Sequence, residues 1–447
     1  MIHSRRLGRY ALLGLMILVL TAAGMVAKGP SPDDESVSTK SVAMIPAPGD
    51  EAKNWPRWRG PSGQGWVKGD DYPDTWSDTQ GPVWRVEVPG SGNSSPIVWG
   101  DRVFLTTSYE EGKRRSILCF NRSDGKLLWE TFAPDAQPER AHPKNGNASS
   151  TPTTDGKRVY AYFGNHGLLA VDLAGNQVWH RSLGTFKAFH GTASSPLLYR
   201  DRLILVQDHG GESGSFILAL DKKTGREIWR TKRSARVGWC SPISVRVGDH
   251  DEIIHSGQQQ VQAYDPRTGK HLWTVQGNTF EAVPTPAVGH GLVFCSSGRA
   301  GPTIAIRPGG SGDVTGTHVA WKASKGSPFV PSSVLYGDYL YMVNDMVSIA
   351  TCYEARTGKV MWQSRLGKAQ REGFSASPVA MGGKIFFTND TGETFVLKAG
   401  GEFDLLHVNR LNERVLASPA LADGHWYFRT AKHLLAIGGH SDGDGAS

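Results

Sequence analysis

The chain contains the stretch Ser215-Phe-Ile-Leu-Ala-Leu-Asp-Lys-Lys-Thr-Gly-Arg-Glu-Ile-Trp229, in which two short hydrophobic runs flank a polar turn. The pattern predicts a strand from Phe216 to Leu220, a tight turn that closes on Gly225, and a second strand that ends on Trp229. Trp229 has a large apolar face and one N–H donor, so we expect it to pack against a neighbouring sheet.

The same unit recurs along the chain. Its nearest copy is Ala263-Tyr-Asp-Pro-Arg-Thr-Gly-Lys-His-Leu-Trp273, and weaker copies end at Trp129, Trp179 and Trp362. A degenerate copy ends at Trp321 after the glycine-rich insertion Gly309–Gly316, and His407 stands once in the tryptophan position. Tandem copies of one strand–turn–strand unit indicate a repeat architecture.

A second marker precedes each copy and consists of a small residue, a proline and a hydrophobic run that leads to a Gly-Asp-like turn. The clearest example is Ser95-Pro-Ile-Val-Trp-Gly-Asp-Arg-Val-Phe104. Six others begin with Ser or Thr before proline, and Ser332-Ser333 has serine in the proline position; these begin at Thr151, Ser195, Ser241, Thr285, Ser332, Ser377 and Ser418. The eight markers lie 41 to 56 residues apart, which predicts an all-β, eight-bladed β-propeller of four-stranded antiparallel blades with little helix.

The two ends of the repeat region complete each other. Gly81–Val88 resembles the last strand of a repeat and carries Trp84, whereas the repeat that begins at Ser418 reaches Ile437 without a tryptophan strand. We therefore predict that an N-terminal strand completes the last blade and closes the ring, because closure removes exposed sheet edges. The propeller is expected to span residues 54–438.

The N-terminal region has the composition of a targeting segment followed by a linker. Residues 1–27 combine basic residues with an apolar run, Ala11–Val26, which predicts either a signal peptide or an uncleaved membrane anchor. Residues 28–53 and the tail 439–447 predict disorder. Loss of residues 1–27 would lower the formal net charge from +7 to +4, so charge gives no argument for a nucleic-acid partner.

The segment Trp55-Pro-Arg-Trp-Arg-Gly-Pro61 places two tryptophans beside arginines. Leaving two tryptophans in water is unfavourable, so we expect the segment to pack on the side or on one face of the propeller. It is either a structural clasp or a lid over a ligand.

The repeat also assigns the loops to two faces. The loops before each marker and those between the second and third strands share one face and vary in sequence, whereas the other face has uniform Gly-Asp and Thr-Gly turns. Varied loops on a rigid scaffold are where function is expected. The candidate ligand residues on this face are Asn147, His190, Asp208, His209, Trp239, Glu281, Arg299, Asp345, Phe374, Asp390 and Arg429.

Each candidate has an alternative structural interpretation. The Asn and Asp residues are common turn formers, the histidines are commonly hydrogen-bonded loop residues, and Trp239 and Phe374 are large enough to plug the channel. Arg299 and Arg429 suit a carboxylate or phosphate ligand, or an internal pair with Asp345 or Asp390.

The spacing of the four cysteines and the absence of known sequence motifs exclude several classes of site. Cys119, Cys240, Cys295 and Cys352 are widely separated, which is not the spacing of a disulfide framework, and their redox state stays open. The sequence has no C-x-x-C-H, G-x-S-x-G, H-E-x-x-H or P-loop pattern.

The units Ala219–Trp229 and Ala263–Trp273, with the opening Trp55–Pro61, resemble bacterial propellers of the pyrroloquinoline quinone (PQQ) repeat type, which include BamB-like proteins and quinoprotein dehydrogenases. The resemblance covers about residues 54–437. It implies an exported, monomeric protein in the periplasm or attached to the membrane, which binds an envelope protein or peptide without catalysis.

The alternative that the resemblance leaves is a PQQ- and calcium-dependent dehydrogenase or a sugar-processing enzyme. Quinoprotein alcohol dehydrogenases carry a vicinal cysteine pair, which this chain lacks. Glu281, Asn147 and either Asp345 or Asp390 could imitate their calcium ligands and catalytic Asp, but no motif matches residue by residue. We therefore expect no cofactor and no metal, and we assign no catalytic residue from the sequence.

Overall fold

The structure is a computed structural model that describes residues 41–438, except 48, 50–52, 211–213, 300, 325 and 370–372. The predicted signal or anchor segment 1–27 and the predicted tail 439–447 lie outside the described residues. No helix in the described part of the chain is long and apolar enough to span a membrane.

Eight sheets, one for each predicted repeat, form from the described residues, and seven of them have four strands. We number them blades 1 to 8 in chain order and call the strands of a blade A to D. Blade 1 comprises Ile97–Trp99, Arg102–Tyr109, Arg114–Asn121 and Leu127–Phe132, and blade 2 comprises Thr153–Thr154, Arg158–Tyr162, Leu168–Asp172 and Gln177–Arg181. Blade 3 comprises Leu197–Tyr199, Arg202–Gln207, Ser215–Asp221 and Glu227–Arg233, and blade 4 comprises Ile243–Val247, His250–Ser256, Gln260–Tyr264 and His271–Gln276.

Blade 5 comprises Ala287–Gly289, Leu292–Ser296, Thr303–Ile306 and Val319–Ala323, and blade 6 comprises Val334–Tyr336, Tyr339–Asn344, Ile349–Glu354 and Val360–Arg365. Blade 7 comprises Val379–Met381, Lys384–Thr388, Glu393–Lys398 and Leu405–Arg410, and blade 8 comprises Ala420–Ala422, His425–Arg429, His433–Gly438 and Pro82–Glu87. The eight-bladed, almost purely β architecture confirms the predicted fold. Strands B and C are buried on both faces because blades pack face to face, which explains their unbroken hydrophobic runs.

The last blade is closed by the N-terminal strand, as predicted. Pro82–Glu87 pairs antiparallel with His433–Gly438, and Trp84 lies opposite Ala436. This pairing joins strands that are about 350 positions apart in sequence, and it satisfies the backbone edge that blade 8 would otherwise expose.

Blade 4 is extended on both sides to six strands. Val42–Met44, within the range expected to form a linker, pairs with strand A at the channel side, and Gly312–Asp313 of the glycine-rich insertion pairs parallel with strand D. The described helices are short: an α-helix at Thr315–His318 and 3-10 turns at Glu110–Gly112 and Gly164–His166.

A tryptophan–glycine contact joins neighbouring blades. In blade 2, Trp179 Nε1 donates to Lys222 O of blade 3 at 3.0 Å. Gly225 of the same turn has φ +71°, and an added Cβ there would lie 2.8 Å from the Trp179 ring. The repeat therefore keeps Thr-Gly in one blade because the tryptophan of the preceding blade covers it. The same indole-to-turn bond recurs at Trp84, Trp129, Trp229, Trp321 and Trp362.

The segment around Trp55–Trp66 packs across the channel at the face of the A–B turns. Asn54 Oδ1 accepts from Gly100 N at 2.9 Å, and the backbone of Trp66 forms a parallel β-bridge with that of Ala380. Arg57 is buried and donates to Pro61 O at 2.8 Å, while Arg59 donates to Ser333 O at 2.7 Å. These bonds tie the segment to several blades, so it lies opposite the face of varied loops.

Candidate ligand-binding cavity

An axial cavity of about 220 Å³ lies between the varied loops and the inner ends of the blades. This volume is below the roughly 300–1,000 Å³ of typical small-molecule pockets. Its wall combines residues from the loops before strand A, and Arg299 from a B–C loop, with the first residue of every marker. Trp58 reaches the cavity from the opposite face. The lining includes Asn93, His142, Lys144, Asn145, His190, Trp239, Val283, Arg299, Phe329, Val330, Ser375 and Leu416.

The first residues of the eight markers form a ring around this cavity, which we call the hydroxyl ring. Its members are Ser95, Thr151, Ser195, Ser241, Thr285, Ser332, Ser377 and Ser418, and all eight are buried. At six junctions the backbone N–H of one member donates to the hydroxyl oxygen of the next, over 2.8–3.0 Å. The marker serine or threonine thus links adjacent blades at the axis.

Aromatic and histidine rings form one wall of the cavity. His190 stacks on Trp239 with ring centroids 5.8 Å apart, and His142 meets His190 edge-on at 5.1 Å. Trp239 Nε1 donates to Gly191 O at 2.8 Å, which fixes the indole in place. Burial, followed by the nearby charge of His142, lowers the pKa of His190 below its ordinary value.

The loop between blades 1 and 2 reaches blade 7. Lys144 Nζ lies 3.1 Å from Asp390 Oδ2, and Asn93 Nδ2 donates to Lys144 O and to Asn145 O. Burial raises the pKa of Asp390 despite the attraction of Lys144. A wider and more open cleft of about 660 Å³ lies beside this contact and shares His142 and Lys144 with the cavity.

Three of the residues predicted from the sequence line the cavity, namely His190, Trp239 and Arg299. Three more lie next to it. Glu281 Oε2 is 3.8 Å from Arg299 Nε, Asp345 accepts from Phe329 N at 2.7 Å, and Asp390 holds Lys144. The Arg299 guanidinium also lies over the Phe329 ring, 5.0 Å from its centroid.

The structure places the other five predicted residues in contacts between or within blades. Asp208 forms a buried ion pair with Arg233 at 2.7 Å, His209 packs on Phe186 and Phe374 packs on Phe395. Asn147 Oδ1 accepts from Arg115 Nη2 at 3.3 Å. Arg429 donates to Ser94 Oγ and Thr106 O where blade 8 meets blade 1, and burial lowers its pKa to about 9.

Sequence reasoning missed the residues of the long loop before blade 2 and the role of the marker hydroxyls. His142, Lys144 and Asn145 carry no repeat signal, because the loop has no counterpart in other blades. The Ser or Thr that begins each marker indicates the number of blades, but a single hydroxyl of this kind predicts no site. Its recurrence with a hydroxyl at all eight positions was the signal for the ring.

The residues that the resemblance offered as calcium ligands do not fit that ion in their observed arrangement. The side-chain oxygens of Asn147 and Glu281 face the guanidinium groups of Arg115 and Arg299. No cluster of three His, Cys, Asp or Glu residues within the described ranges is arranged to hold a metal. All four cysteines are free and buried, and burial raises the pKa of the Cys240 thiol to about 12.

Comparison with known proteins finds a matching family model and two relatives of low sequence identity. A family model described as outer membrane protein assembly factor BamB matches residues 75–189, 185–348 and 346–444. BamB from Burkholderia pseudomallei is 28% identical over 199 residues, covering 43% of this chain and 46% of that protein. Tetrathionate hydrolase from Acidithiobacillus ferrooxidans is 22% identical over 354 residues, 69% of this chain and 64% of that protein. The chain thus spans less than two thirds of either relative's length.

Among solved structures, BamB from Moraxella catarrhalis superposes with a TM-score of 0.58 at 14% identity, covering 81% of this chain and 99% of that one. A quinohemoprotein alcohol dehydrogenase from Comamonas testosteroni superposes with a TM-score of 0.61 at 12% identity, covering 89% and 82%. At these identities the likeness establishes the fold and not the activity.

Proposed function

Because this chain belongs to the family described as outer membrane protein assembly factor BamB, we propose that it is an exported, non-catalytic propeller that binds a protein partner in the cell envelope. The binding face is the face of varied loops, and the partner contributes an extended segment with apolar and acidic side chains.

The observation that carries this proposal is a pair of exposed aromatic rings on that face. Phe189 is 64% exposed and Phe280 is 54% exposed, and each precedes a residue at the edge of the cavity, His190 and Glu281. Aromatic side chains are enriched in protein interfaces relative to the rest of the surface. They therefore support a surface that a partner covers.

The cations of the cavity wall favour an acidic partner. Arg299 is about half exposed and lies in the same wall as Lys144. Of the described residues that line the cavity, none is Asp or Glu. Charge complementarity of this kind mainly affects association rate and specificity, so it supports the partner's class more than its affinity.

Capture experiments with the full chain test the proposal. We expect the wild-type protein to capture a specific envelope protein, and the double substitution Phe189→Ser and Phe280→Ser to abolish capture, because two aromatic anchors are lost. Phe403→Ser is the matched control, since Phe403 is also exposed but lies in a C–D turn of the other face.

Two results would contradict the proposal. One is equal capture by the wild type and both variants. The other is clear dye-linked oxidation of alcohols or sugars when PQQ and Ca²⁺ are added to the pure protein, which would favour the dehydrogenase alternative.

A further inference from the structure

The hydroxyl ring presents protons that the described protein atoms do not accept. A serine or threonine hydroxyl carries one proton and two lone pairs. In Thr151, Ser195, Ser241, Ser332, Ser377 and Ser418 a lone pair accepts the backbone N–H of the preceding ring member. No hydrogen bond within the described chain uses the hydroxyl protons of these six residues as donors.

Ser95 shows the same feature without the backbone bond. Its Oγ is buried and has no hydrogen-bond partner in the described protein. It lies where blade 1 meets blade 8, the blade that the N-terminal strand completes. A buried hydroxyl without a partner costs free energy, so the content of the cavity must accept these protons.

Thr285 accepts from a side chain and not from the backbone of the preceding ring member. Its Oγ1 accepts from Trp58 Nε1 at 2.9 Å, so the segment that packs at the A–B turns completes the ring at this position. Trp58 is therefore part of the cavity wall and places a ring of aromatic carbon beside the hydroxyl groups. The resulting enclosure excludes bulk water on one side and strengthens hydrogen bonds made inside it.

Of the described residues that line the cavity, the two charged ones, Lys144 and Arg299, are both cationic. Lys144 and Arg299 are held at the rim by Asp390 and Glu281, which do not line the cavity. His142 and His190 face the same space. A ligand inside the cavity thus meets hydroxyl donors below it and N–H donors at its rim.

We propose that the hydroxyl ring, with Lys144 and Arg299 above it, binds a small oxyanion group, either a carboxylate or a tetrahedral ion such as phosphate or sulfate. Such a group has several acceptor lone pairs and no requirement for an acceptor in the wall. The volume of about 220 Å³ equals about seven waters at roughly 30 Å³ each. It accommodates a free ion with several waters, or the terminal carboxylate and last side chain of a peptide.

The buried hydroxyl ring is a separate observation from the exposed rings of the proposed partner surface, while both proposals use the cations Lys144 and Arg299. The partner proposal rests on exposed rings at the rim, and the anion site rests on buried hydroxyls at the base of the cavity. Loss of Phe189 and Phe280 would abolish the first and leave the second intact.

Calorimetric titration of the full chain tests the site. One arm adds sodium sulfate or sodium phosphate, with ionic strength held constant by chloride. The other arm adds a short apolar peptide with a free terminal carboxylate and compares it with the amidated peptide. The key variant is Ser95→Ala, because Ser95 Oγ makes no bond within the described protein and its loss breaks none.

Ser194→Ala is the matched control. Ser194 Oγ is likewise buried and without a partner, but it does not line the cavity. We expect saturable binding in at least one arm, weakened about tenfold or more by Ser95→Ala, as for the loss of one hydrogen bond to a charged group, and unchanged by Ser194→Ala. Binding of the inorganic ions alone identifies a free ion as the ligand, and binding of the free-carboxylate peptide alone identifies a chain terminus.

Absence of saturable binding in both arms would overturn the proposal, since the ring would then hold only water. Equal affinities of Ser95→Ala and Ser194→Ala would overturn it as well, because the ion would then bind elsewhere. Thermal unfolding of both variants without ligand checks that each is folded.

Discussion

Asp345 is a carboxylate that the fold buries completely beside the cavity. Its Oδ1 accepts from Phe329 N at 2.7 Å, while Oδ2 has no partner in the described protein. Burial is the main cause that raises its pKa to about 6. Because this value exceeds the unfolded value of about 3.9, the contribution of Asp345 to stability is complete below about pH 4. It is lost as the pH rises through 6.

We predict that Asp345→Asn stabilises the protein at pH 7.5 and not at pH 4. Asparagine keeps the oxygen that accepts from Phe329 N and removes the buried negative charge. A shift of about two pKa units corresponds to at most about 3 kcal/mol, so the gain at pH 7.5 should lie below that value. Denaturant unfolding at both pH values measures it.

The control for this prediction is Asp404→Asn, which changes an exposed carboxylate in blade 7. It should alter stability little at either pH, since exposed charges contribute little. A change in stability by Asp345→Asn that is the same at pH 4 and pH 7.5 would show that its carboxyl does not titrate as described.

Individual candidate residues were harder to predict from the sequence than the loops that carry them. His190 and Asp208 both lie on the varied face, yet His190 lines the cavity and Asp208 pairs with Arg233 between strands. The repeat fixes the face of a loop but not the direction of each side chain. Lys144 enters the site on a loop with no repeat counterpart, so periodicity gave no reason to choose it.

At the scale of the strand pair, the repeat is explained by contacts between blades rather than within one. The Thr-Gly turn and the Trp strand of one copy do not meet each other; each meets the neighbouring blade. Both features therefore recur in the sequence wherever two neighbouring blades make this contact. A copy that lacks one of them indicates that the contact between those two blades differs. Trp273 shows this, because its Nε1 donates to Glu252 Oε2 where the following blade has the glycine-rich insertion.

We predict that Gly225→Ala is more destabilising than Gly291→Ala. Both glycines have a left-handed φ, +71° and +76°, so both alanines carry similar backbone strain. At Gly291 an added Cβ meets no atom within 4 Å, whereas at Gly225 it meets the Trp179 ring at 2.8 Å. The clash should add about 1–3 kcal/mol.

Denaturant unfolding of the two variants under the same conditions measures this difference. A third variant, Gly225→Ala with Trp179→Leu, should show coupling, because the smaller side chain relieves the clash. If Gly225→Ala and Gly291→Ala cost the same, the tryptophan contact is not the reason for glycine in this turn.

At the scale of the whole molecule, the sequence predicted the blade number from the count of markers. It predicted the closure because the last repeat lacks the tryptophan strand that Gly81–Val88 supplies. It did not predict that Val42–Met44 adds a strand to blade 4 or that Trp58 reaches the cavity from the far face. Neither segment has the period of the repeat. Their positions depend on the space left at the axis once eight blades are assembled, which is a property of the ring and not of any one unit.

We predict that the ring depends on its closing strand more than on the segment across the channel. A chain that begins at residue 89 lacks Pro82–Glu87, so strand His433–Gly438 keeps an unpaired edge and Trp84 no longer covers the turn at Gly125. An exposed edge of this kind pairs with other chains, and light scattering should show oligomers or aggregates.

A chain that begins at residue 74 keeps the closing strand and should remain monomeric, although less stable than the full chain. A peptide of residues 74–88 added to the shorter chain should restore the monomer by strand pairing. Monomers of equal cooperativity from both chains would mean that closure does not hold the ring together.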